Sequence, residues 1–271
     1  MKAILSYYRN SEKMEEDSME PVIVRNVSIG EGMPKICVPI VGKTEDEILQ
    51  AAKEIVNVPA DLVEWRADWY ESVFEMQKVV ELSAKLREVL GDTPILFTFR
   101  TKAEGGEKEL SEKPYAMLNK MMIASGNIDL VDVEVFAAEK EVASIVEAAH
   151  KQGVKVVGSN HDFAKTPEKE EIVRRLCDMQ KLGVDIPKIA VMPQSKKDVL
   201  TLLEATEEMV SQYADRPIIT MSMSGMGAVS RIIGEMFGSA ITFGALGKAS
   251  APGQIGVEEL RTILEIMHIE P

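Results

Sequence analysis

The chain has 271 residues, of which 45% are hydrophobic and 28% are charged, a balance typical of a globular protein with a sizeable core. Its net charge of -13 excludes a nucleic-acid-binding protein that neutralises phosphates with a basic surface, although an anionic small molecule needs only a local basic pocket. No apolar stretch approaches the roughly 20 residues of a membrane-spanning helix, and no group of cysteines and histidines has the spacing of a metal site.

The first 20 residues are polar and rich in charge, without the periodic apolar residues of a core-forming element. We predict a mobile extension over residues 1–20, in which Met19 is an alternative start, and a single folded domain over residues 21–271. The first residues are too polar for a signal peptide. Cys37 and Cys177 lie far apart in apolar segments and are predicted to be buried free thiols of a cytoplasmic protein.

From about residue 34, short apolar runs alternate with longer segments of helical spacing. The apolar runs predict strands over residues 36–40, 62–66, 95–100, 130–135, 155–159, 188–192, 218–222 and 240–243. The intervening segments predict helices over residues 45–56, 74–90, 114–125, 139–151, 168–182, 196–212, 228–236 and 257–267. Thr44 and Ser195 precede two of these helices as N-caps, and Thr44 is followed by the glutamate of a capping box. Met117, Met121 and Met122 stand at helical spacing and are predicted to lie in the core.

Eight strands that alternate with eight helices predict a parallel sheet, and their number matches an α/β fold of the (β/α)8 TIM-barrel type. An open, doubly wound sheet is the alternative, but its glycine-rich first turn is missing, since residues 39–44 contain one glycine. The run from Gly42 to Thr44 matches the end of a phosphate-binding loop, yet Cys37 stands where that motif needs its first glycine.

Polar side chains cluster after the predicted strands, which is where TIM barrels place their catalytic groups. Any one of them alone is usually a solvated or structurally paired residue. Together they predict a site at one end of the barrel. They are Glu64, Arg66, Asp68, Arg100, Glu104, Asp132, Glu134, His161, Lys188, Arg231, Ser250 and Gln254.

Lys188 stands out because it lies within an apolar run, between Pro187 and Ile189. An ammonium group is strongly penalised when it leaves water, so burial favours the neutral amine. A neutral lysine amine is a nucleophile that forms Schiff bases with ketones and aldehydes. In the alternative interpretation, the side chain reaches solvent at the end of the strand or pairs with a carboxylate.

The combination of a lysine, His161 and several carboxylates supplies the groups for imine formation with acid–base catalysis. Three arginines, Arg66, Arg100 and Arg231, suit an anionic, polar substrate. The residues alone therefore predict an enzyme that acts on a small carbonyl compound with an acidic group.

Six motifs in this set also occur, in the same order and at similar spacing, in a known family. They are Glu64-Trp65-Arg66, Phe97-Thr98-Phe99-Arg100, Glu104-Gly105-Gly106, Ser159-Asn160-His161-Asp162-Phe163, Pro187-Lys188-Ile189-Ala190 and Ser250-Ala251-Pro252-Gly253-Gln254. From about Val24 to the C-terminus, the sequence resembles type I 3-dehydroquinate dehydratases. The resemblance implies dehydration of 3-dehydroquinate to 3-dehydroshikimate in the shikimate pathway of aromatic amino acid biosynthesis. It also implies a homodimer that uses no metal and no cofactor.

The resemblance further implies a role for each matching residue. Lys188 would form the Schiff base, His161 would be the general base and then the acid, and Glu104 would orient His161. Arg231 would bind the substrate carboxylate, with Ser250 and Gln254 closing over it. Glu64, Arg66 and Arg100 would hold the ring hydroxyls.

Two alternative functions are open to such a chain. A class I aldolase of the same fold would share Lys188, but it would be expected to bind a phosphate after the last two strands. A non-catalytic sensor of quinate-like metabolites would be expected to have lost Lys188 or His161, and both are present.

Overall fold

The computed structural model describes residues 19–247 and 253–269 of the chain. The predicted N-terminal extension lies outside the described residues except for its last two positions. The predicted site residue Ser250 also lies outside them.

The described chain begins with an antiparallel hairpin, β1 (Val22–Val24) and β2 (Val27–Ile29), which the sequence analysis did not predict. Val24 and Ile29 are buried in one cluster with residues that begin barrel strands, such as Leu62. In the turn of the hairpin, the Arg25 Nε donates to Asp129 Oδ1 at 2.6 Å. The hairpin therefore covers the N-terminal end of the barrel.

The next eight strands are parallel, and each pairs with its neighbour in chain order, as the sequence predicts for a TIM barrel. They are β3 (Lys35–Ile40), β4 (Leu62–Arg66), β5 (Ile95–Thr98), β6 (Leu130–Glu134), β7 (Lys155–Asp162), β8 (Ile186–Val191), β9 (Ile219–Ser222) and β10 (Ile241–Ala245). A two-residue strand, β11 (Ile255–Gly256), pairs with the end of β10.

The barrel closes between β9 and β10 through a seam that relies on a side chain. A single backbone bridge joins Ile218 to Ser239, and the Ala240 N–H donates to the Ile218 carbonyl at 2.8 Å. The Ser239 hydroxyl then accepts from the Thr220 N–H at 3.0 Å and donates to the Thr220 carbonyl at 3.2 Å. A serine side chain thus replaces part of the strand ladder at this position.

Helices cover the outside of the barrel. Those described are α1 (Glu45–Ile55), α2 (Met76–Leu90), α3 (Glu112–Ser125), α4 (Glu139–Lys151), α5 (Lys169–Lys181), α6 (Lys196–Gln212), α7 (Val229–Ile232), α8 (Gly234–Phe237) and α9 (Val257–Met267). Thr44 and Ser195 cap α1 and α6 as predicted, and Thr44 forms the capping box with Glu47. None of the described helices is both long and apolar enough to cross a membrane.

Successive side chains of a strand point to opposite faces, so alternate residues of the barrel strands belong to two separate apolar clusters. On β6, Val131 and Val133 pack in the large cluster between strands and helices, whereas Leu130 belongs to the cluster inside the barrel. Asp132 and Glu134 share the inward face with Leu130, above it along the strand. The barrel interior is therefore apolar at the N-terminal ends of the strands and charged at the C-terminal ends.

Three expectations from the sequence were wrong. The predicted helix over residues 228–236 is two short helices, because the backbone of Ile233 (φ −106°, ψ 20°) leaves the helical region. Met117, expected in the core, is 58% exposed, since the buried face of α3 runs instead through Leu118 and Met122. Cys177 is only partly buried, although Cys37 is fully buried.

Asn119 in α3 is fully buried, and neither its Oδ1 nor its Nδ2 has a hydrogen-bond partner among the described residues. An unsatisfied buried polar group costs about 1–3 kcal/mol, so we expect Asn119→Leu to raise the free energy of unfolding by about that amount. Urea denaturation followed by circular dichroism would measure the change.

Thr206→Val is the matched control. Its hydroxyl donates to the Leu202 carbonyl at 2.7 Å and lies 2.7 Å from the Thr220 hydroxyl, so its loss should lower stability by about 1 kcal/mol. If Asn119→Leu destabilises the protein as much as Thr206→Val does, the Asn119 amide is hydrogen-bonded in solution and this prediction is wrong.

Candidate active site

A pocket of about 500 Å³, measured to its open mouth, lies at the C-terminal ends of the barrel strands. Of the nine residues to which the resemblance assigns a role, eight are described, and all eight line this pocket. They are Glu64, Arg66, Arg100, Glu104, His161, Lys188, Arg231 and Gln254. The remaining wall is formed by Gly105, Phe163, Ala190, Met221, Met223 and Phe243.

Lys188 lies inside this pocket and is 3% exposed. Its Nζ is 3.5 Å from Asp132 Oδ2 and 4.5 Å from the centroid of the Phe243 ring. The expectation that Lys188 ends its strand in solvent is wrong, because it is the third residue of β8 and points into the barrel. The carboxylate pairing that was the other part of that alternative is present.

Asp132 is fully buried beneath the lysine. Its Oδ1 accepts from the Ser159 hydroxyl at 2.7 Å and forms an ion pair with Arg100 Nη2 at 2.8 Å. Burial alone would raise the pKa of Asp132, but the charges of Arg100 and Lys188 and the Ser159 hydroxyl together hold it below its ordinary value. The side chain is therefore an anion at neutral pH.

Arg100 connects the carboxylates of this region. Besides Asp132, its guanidinium pairs with Glu134 Oε1 at 2.9 Å and lies 3.7 Å from Glu104 Oε2. Glu134 also accepts from the Thr101 N–H at 2.8 Å and the Thr101 hydroxyl at 2.6 Å. Burial opposes the charge of Arg100, yet these carboxylates raise its pKa well above the ordinary value.

His161 is held by Glu104. Oε2 of Glu104 lies 2.9 Å from His161 Nδ1 and accepts from the His161 backbone N–H at 3.0 Å. The other carboxylate oxygen accepts from the Asn160 amide at 3.3 Å. The Phe163 ring stacks on the imidazole at 6.4 Å between centroids. These contacts fix the ring and leave Nε2 as the nitrogen that does not contact Glu104.

Burial shifts both members of this pair toward their neutral forms. It raises the pKa of Glu104 to about 8, an effect that Arg100 opposes and Glu134 reinforces. Burial also lowers the pKa of His161 well below its ordinary value, and the charge of Arg100 adds to that lowering. A neutral imidazole at neutral pH is able to accept a proton.

Two glycines allow the Glu104 segment to reach His161. Gly105 has φ +85°, and a Cβ there would lie 2.4 Å from the Phe163 ring that packs against it. A Cβ on Gly106 would lie 1.9 Å from the Arg100 carbonyl oxygen, so the chain can fold back on β5 only with glycine at this position.

The second strand of the barrel, β4, contributes a separate pair of polar side chains. Arg66 donates to Asp68 through Nε at 2.8 Å and through Nη2 at 2.9 Å, a bidentate pair that is fully enclosed. Glu64 Oε1 accepts from the Thr98 hydroxyl at 2.9 Å. Both Glu64 and Arg66 still line the pocket, beside Arg100.

Arg231 lies on α7, on the far side of the pocket from Glu104, and is 2% exposed. Burial lowers its pKa to about 10, so the guanidinium is charged at neutral pH. Its Nη1 lies 3.9 Å from the sulfur of Met221. Gln254, just beyond the segment that is not described, lines the same wall.

Sequence reasoning missed several residues that shape this pocket. Phe243 and Phe163 were not singled out, because a single aromatic residue in an apolar strand or after a strand gives no functional signal. Ser159 was quoted only as part of a motif. The two-residue alternation along β7 places Ser159 on the same inward face as Val157, and this would have identified it. Among the described residues, no three His, Cys, Asp or Glu side chains form a group suited to a metal ion.

Comparison with known proteins agrees with this geometry. Residues 36–271 match the family model described as type I 3-dehydroquinase. The 3-dehydroquinate dehydratase of Clostridioides difficile is 56% identical over 91% of this chain and 97% of its own length. The enzyme of Listeria welshimeri is 57% identical over 92% of this chain and 99% of its own length.

Solved structures give the same result. A crystal structure of the Clostridium difficile type I enzyme with covalently modified comenic acid has a TM-score of 0.90 and 55% identity, and it matches over 92% of this chain and 98% of that chain. The Enterococcus faecalis enzyme has a TM-score of 0.87 and 48% identity over 92% of this chain and 100% of that chain. The chain therefore belongs to the type I 3-dehydroquinase family and is a 3-dehydroquinate dehydratase, a hydro-lyase.

Proposed function

We propose that this enzyme converts 3-dehydroquinate to 3-dehydroshikimate through a Schiff base on Lys188, as a step of the shikimate pathway. The observation that carries the proposal is a buried lysine in the same pocket as a neutral histidine that Glu104 holds in place. The similar Clostridium difficile structure contains covalently modified comenic acid, and this supports a reactive group in enzymes of this family.

The chemistry follows from the properties of an iminium ion. Attack of the Lys188 amine on the ketone at C3 gives a carbinolamine. With one proton taken up, its hydroxyl leaves as water and a cationic iminium forms, which withdraws electrons from the adjacent C2–H bond. His161 then removes the C2 proton and returns it to the departing C1 hydroxyl, which leaves as water. Hydrolysis of the product iminium releases Lys188.

Glu104 is proposed to serve this proton transfer without contacting the substrate. Its Oε2 holds both the backbone and the ring of His161, so the imidazole keeps one orientation through the cycle. A carboxyl group with a pKa of about 8 can also respond to the protonation state of the ring it contacts.

The remaining pocket residues are proposed to bind the substrate. Arg231 suits the carboxylate because a guanidinium forms two parallel hydrogen bonds to it, and Gln254 and Ser250 would complete that end. Glu64, Arg66 and Arg100 would contact the ring hydroxyls. Arg66 and Arg100 are already paired with carboxylates, so they would present donors whose positions are fixed before binding.

The two alternative functions find less support. An aldolase acting on phosphorylated sugars would need a phosphate site after β9 and β10, where the described part of this pocket presents Arg231 beside Met221, Met223 and Phe243. A metabolite sensor would not need the contacts between Glu104 and His161. The homodimer and the cytoplasmic location remain predictions.

Treatment with borohydride in the presence of 3-dehydroquinate should attach one reduced adduct to Lys188, since the iminium is reduced to a stable amine. Mass spectrometry of the intact protein and of its peptides would locate the adduct. Lys188→Ala should form none. An adduct of the same mass in Lys188→Ala, or no adduct in the unaltered enzyme, would disprove the proposed nucleophile.

His161→Ala should lower kcat by about 10²–10⁴-fold, which is the usual contribution of general acid–base catalysis. Trapping of the substrate iminium should survive, because the amine is untouched. Steady-state kinetics and borohydride trapping on the same preparation would separate the two effects. Near-normal turnover in this variant would remove His161 from the role of base.

Arg231→Lys should raise KM by about tenfold or more while iminium trapping at saturating substrate persists, because lysine keeps the charge but loses the planar pair of donors. Steady-state kinetics would measure the change. A variant with unchanged KM and lowered kcat would show that Arg231 does not anchor the carboxylate.

A further inference from the structure

Asp132 is placed directly against the atom that becomes the Schiff-base nitrogen. Among the described residues, its carboxylate is the one that lies within 4 Å of Lys188 Nζ, at 3.5 Å. It is fully buried, so solvent does not screen its charge. Phe243 also presents its ring face to the amine, with its centroid 4.5 Å from Nζ, which likewise favours a cation.

Charge conservation gives this contact a consequence for the covalent step. An ammonium and a ketone combine to give an iminium and one water molecule: the C–N bond forms, the carbonyl oxygen leaves with two protons, and the nitrogen keeps its single positive charge. The cation therefore remains at nearly the same place before and after the bond forms, and it needs the same buried negative partner in both states.

The position of Asp132 is itself fixed. Arg100 Nη2 and the Ser159 hydroxyl both bind Oδ1, at 2.8 Å and 2.7 Å, and this leaves Oδ2 facing Lys188. Glu134 belongs to the same network, but its two oxygens are occupied by Arg100 and Thr101. Two buried carboxylates thus share one arginine, and only one of them faces the amine.

We propose that Asp132 is the counter-ion of the Lys188 iminium, and that Arg100 and Ser159 are positioning residues that aim its free oxygen at the nitrogen. The inference rests on the proposed Schiff-base function. Asp132 stabilises the cation and takes no proton, and its low pKa agrees with this role. The proton transfers stay with His161.

A test of Asp132 must leave the other titratable and charged groups around the Lys188 amine unchanged. Besides Glu134, the titratable and charged side chains that surround this pair are Cys37 on β3, Glu64 and Arg66 on β4, Arg100 and Glu104 after β5, Tyr115 on α3, His161 on β7 and Arg231 on α7. None of them is altered in the variants below, so a difference between those variants reports on the carboxylates.

The test uses cyanoborohydride, which reduces a protonated iminium but not a neutral imine, with 3-dehydroquinate between about pH 6 and pH 9. An opposite charge at this distance typically shifts a titration by about 1–3 pH units. In Asp132→Asn, the loss of trapping at alkaline pH should therefore begin about 1–3 pH units lower than in the unaltered enzyme. Intact-protein mass spectrometry measures the trapped fraction at each pH.

Glu134→Gln is the matched control, since it removes a buried carboxylate from the same arginine without removing the one that faces Lys188. Its trapping profile should follow that of the unaltered enzyme. Ser159→Ala keeps the Asp132 charge but removes one of the two contacts that hold Oδ1, and it should shift the profile in the same direction as Asp132→Asn by a smaller amount. This second variant keeps the proposal testable if Asp132→Asn does not fold.

The results distinguish a failure of the proposed Schiff-base function from a failure of the proposed counter-ion. No trapping in the unaltered enzyme at any pH would overturn the proposed function itself. If the unaltered enzyme is trapped normally but the pH profile of Asp132→Asn is unshifted, Asp132 is not the counter-ion. If Asp132→Asn does not fold, an unshifted pH profile in Ser159→Ala has the same meaning. Equal shifts in Asp132→Asn and Glu134→Gln would overturn it as well, since the effect would then belong to the whole network.

Discussion

The ion pair between Arg100 and Asp132 is the interaction on which the rest of the site depends. Removing one partner of a buried pair typically costs about 3–5 kcal/mol, because the remaining charge is left without water or a counter-charge. Here the same guanidinium also binds Glu134 and lies near Glu104, so a single side chain connects the lysine region to the histidine region. Its position at the end of β5 sets the geometry of both.

This arrangement is supported by a strict separation of apolar and charged side chains along the barrel axis. The N-terminal half of the interior is apolar and is closed by the hairpin through Val24 and Ile29. The C-terminal half holds the charged side chains, and the apolar layer beneath them keeps water from entering from below. Electrostatic interactions are stronger in such surroundings than in solvent. The hairpin therefore contributes to the electrostatics of a site that it does not touch.

Much of this structure could be predicted from the sequence because the signals are local. Apolar runs located each barrel strand, and the polar residues in or just after those runs, among them Glu64, Asp132 and Lys188, predicted a site at one end of the barrel. The hairpin escaped because three-residue strands carry too little pattern. The carboxylate that contacts Lys188 could not be predicted either. The predicted site contains several carboxylates, and only the register between strands decides that Asp132 contacts Lys188.

The seam between β9 and β10 gives the pocket unequal stiffness. One bridge and the Ser239 side chain join these strands, whereas six residue pairs join β7 to β8. The chain after β9 carries Arg231, and Gln254 follows β10, so the seam divides the end of the pocket proposed to hold the substrate carboxylate. Local opening by thermal fluctuation costs the least free energy where few backbone hydrogen bonds join neighbouring strands. The barrel therefore yields more readily at the end that carries Arg231 and Gln254 than between β7 and β8, which carry His161 and Lys188.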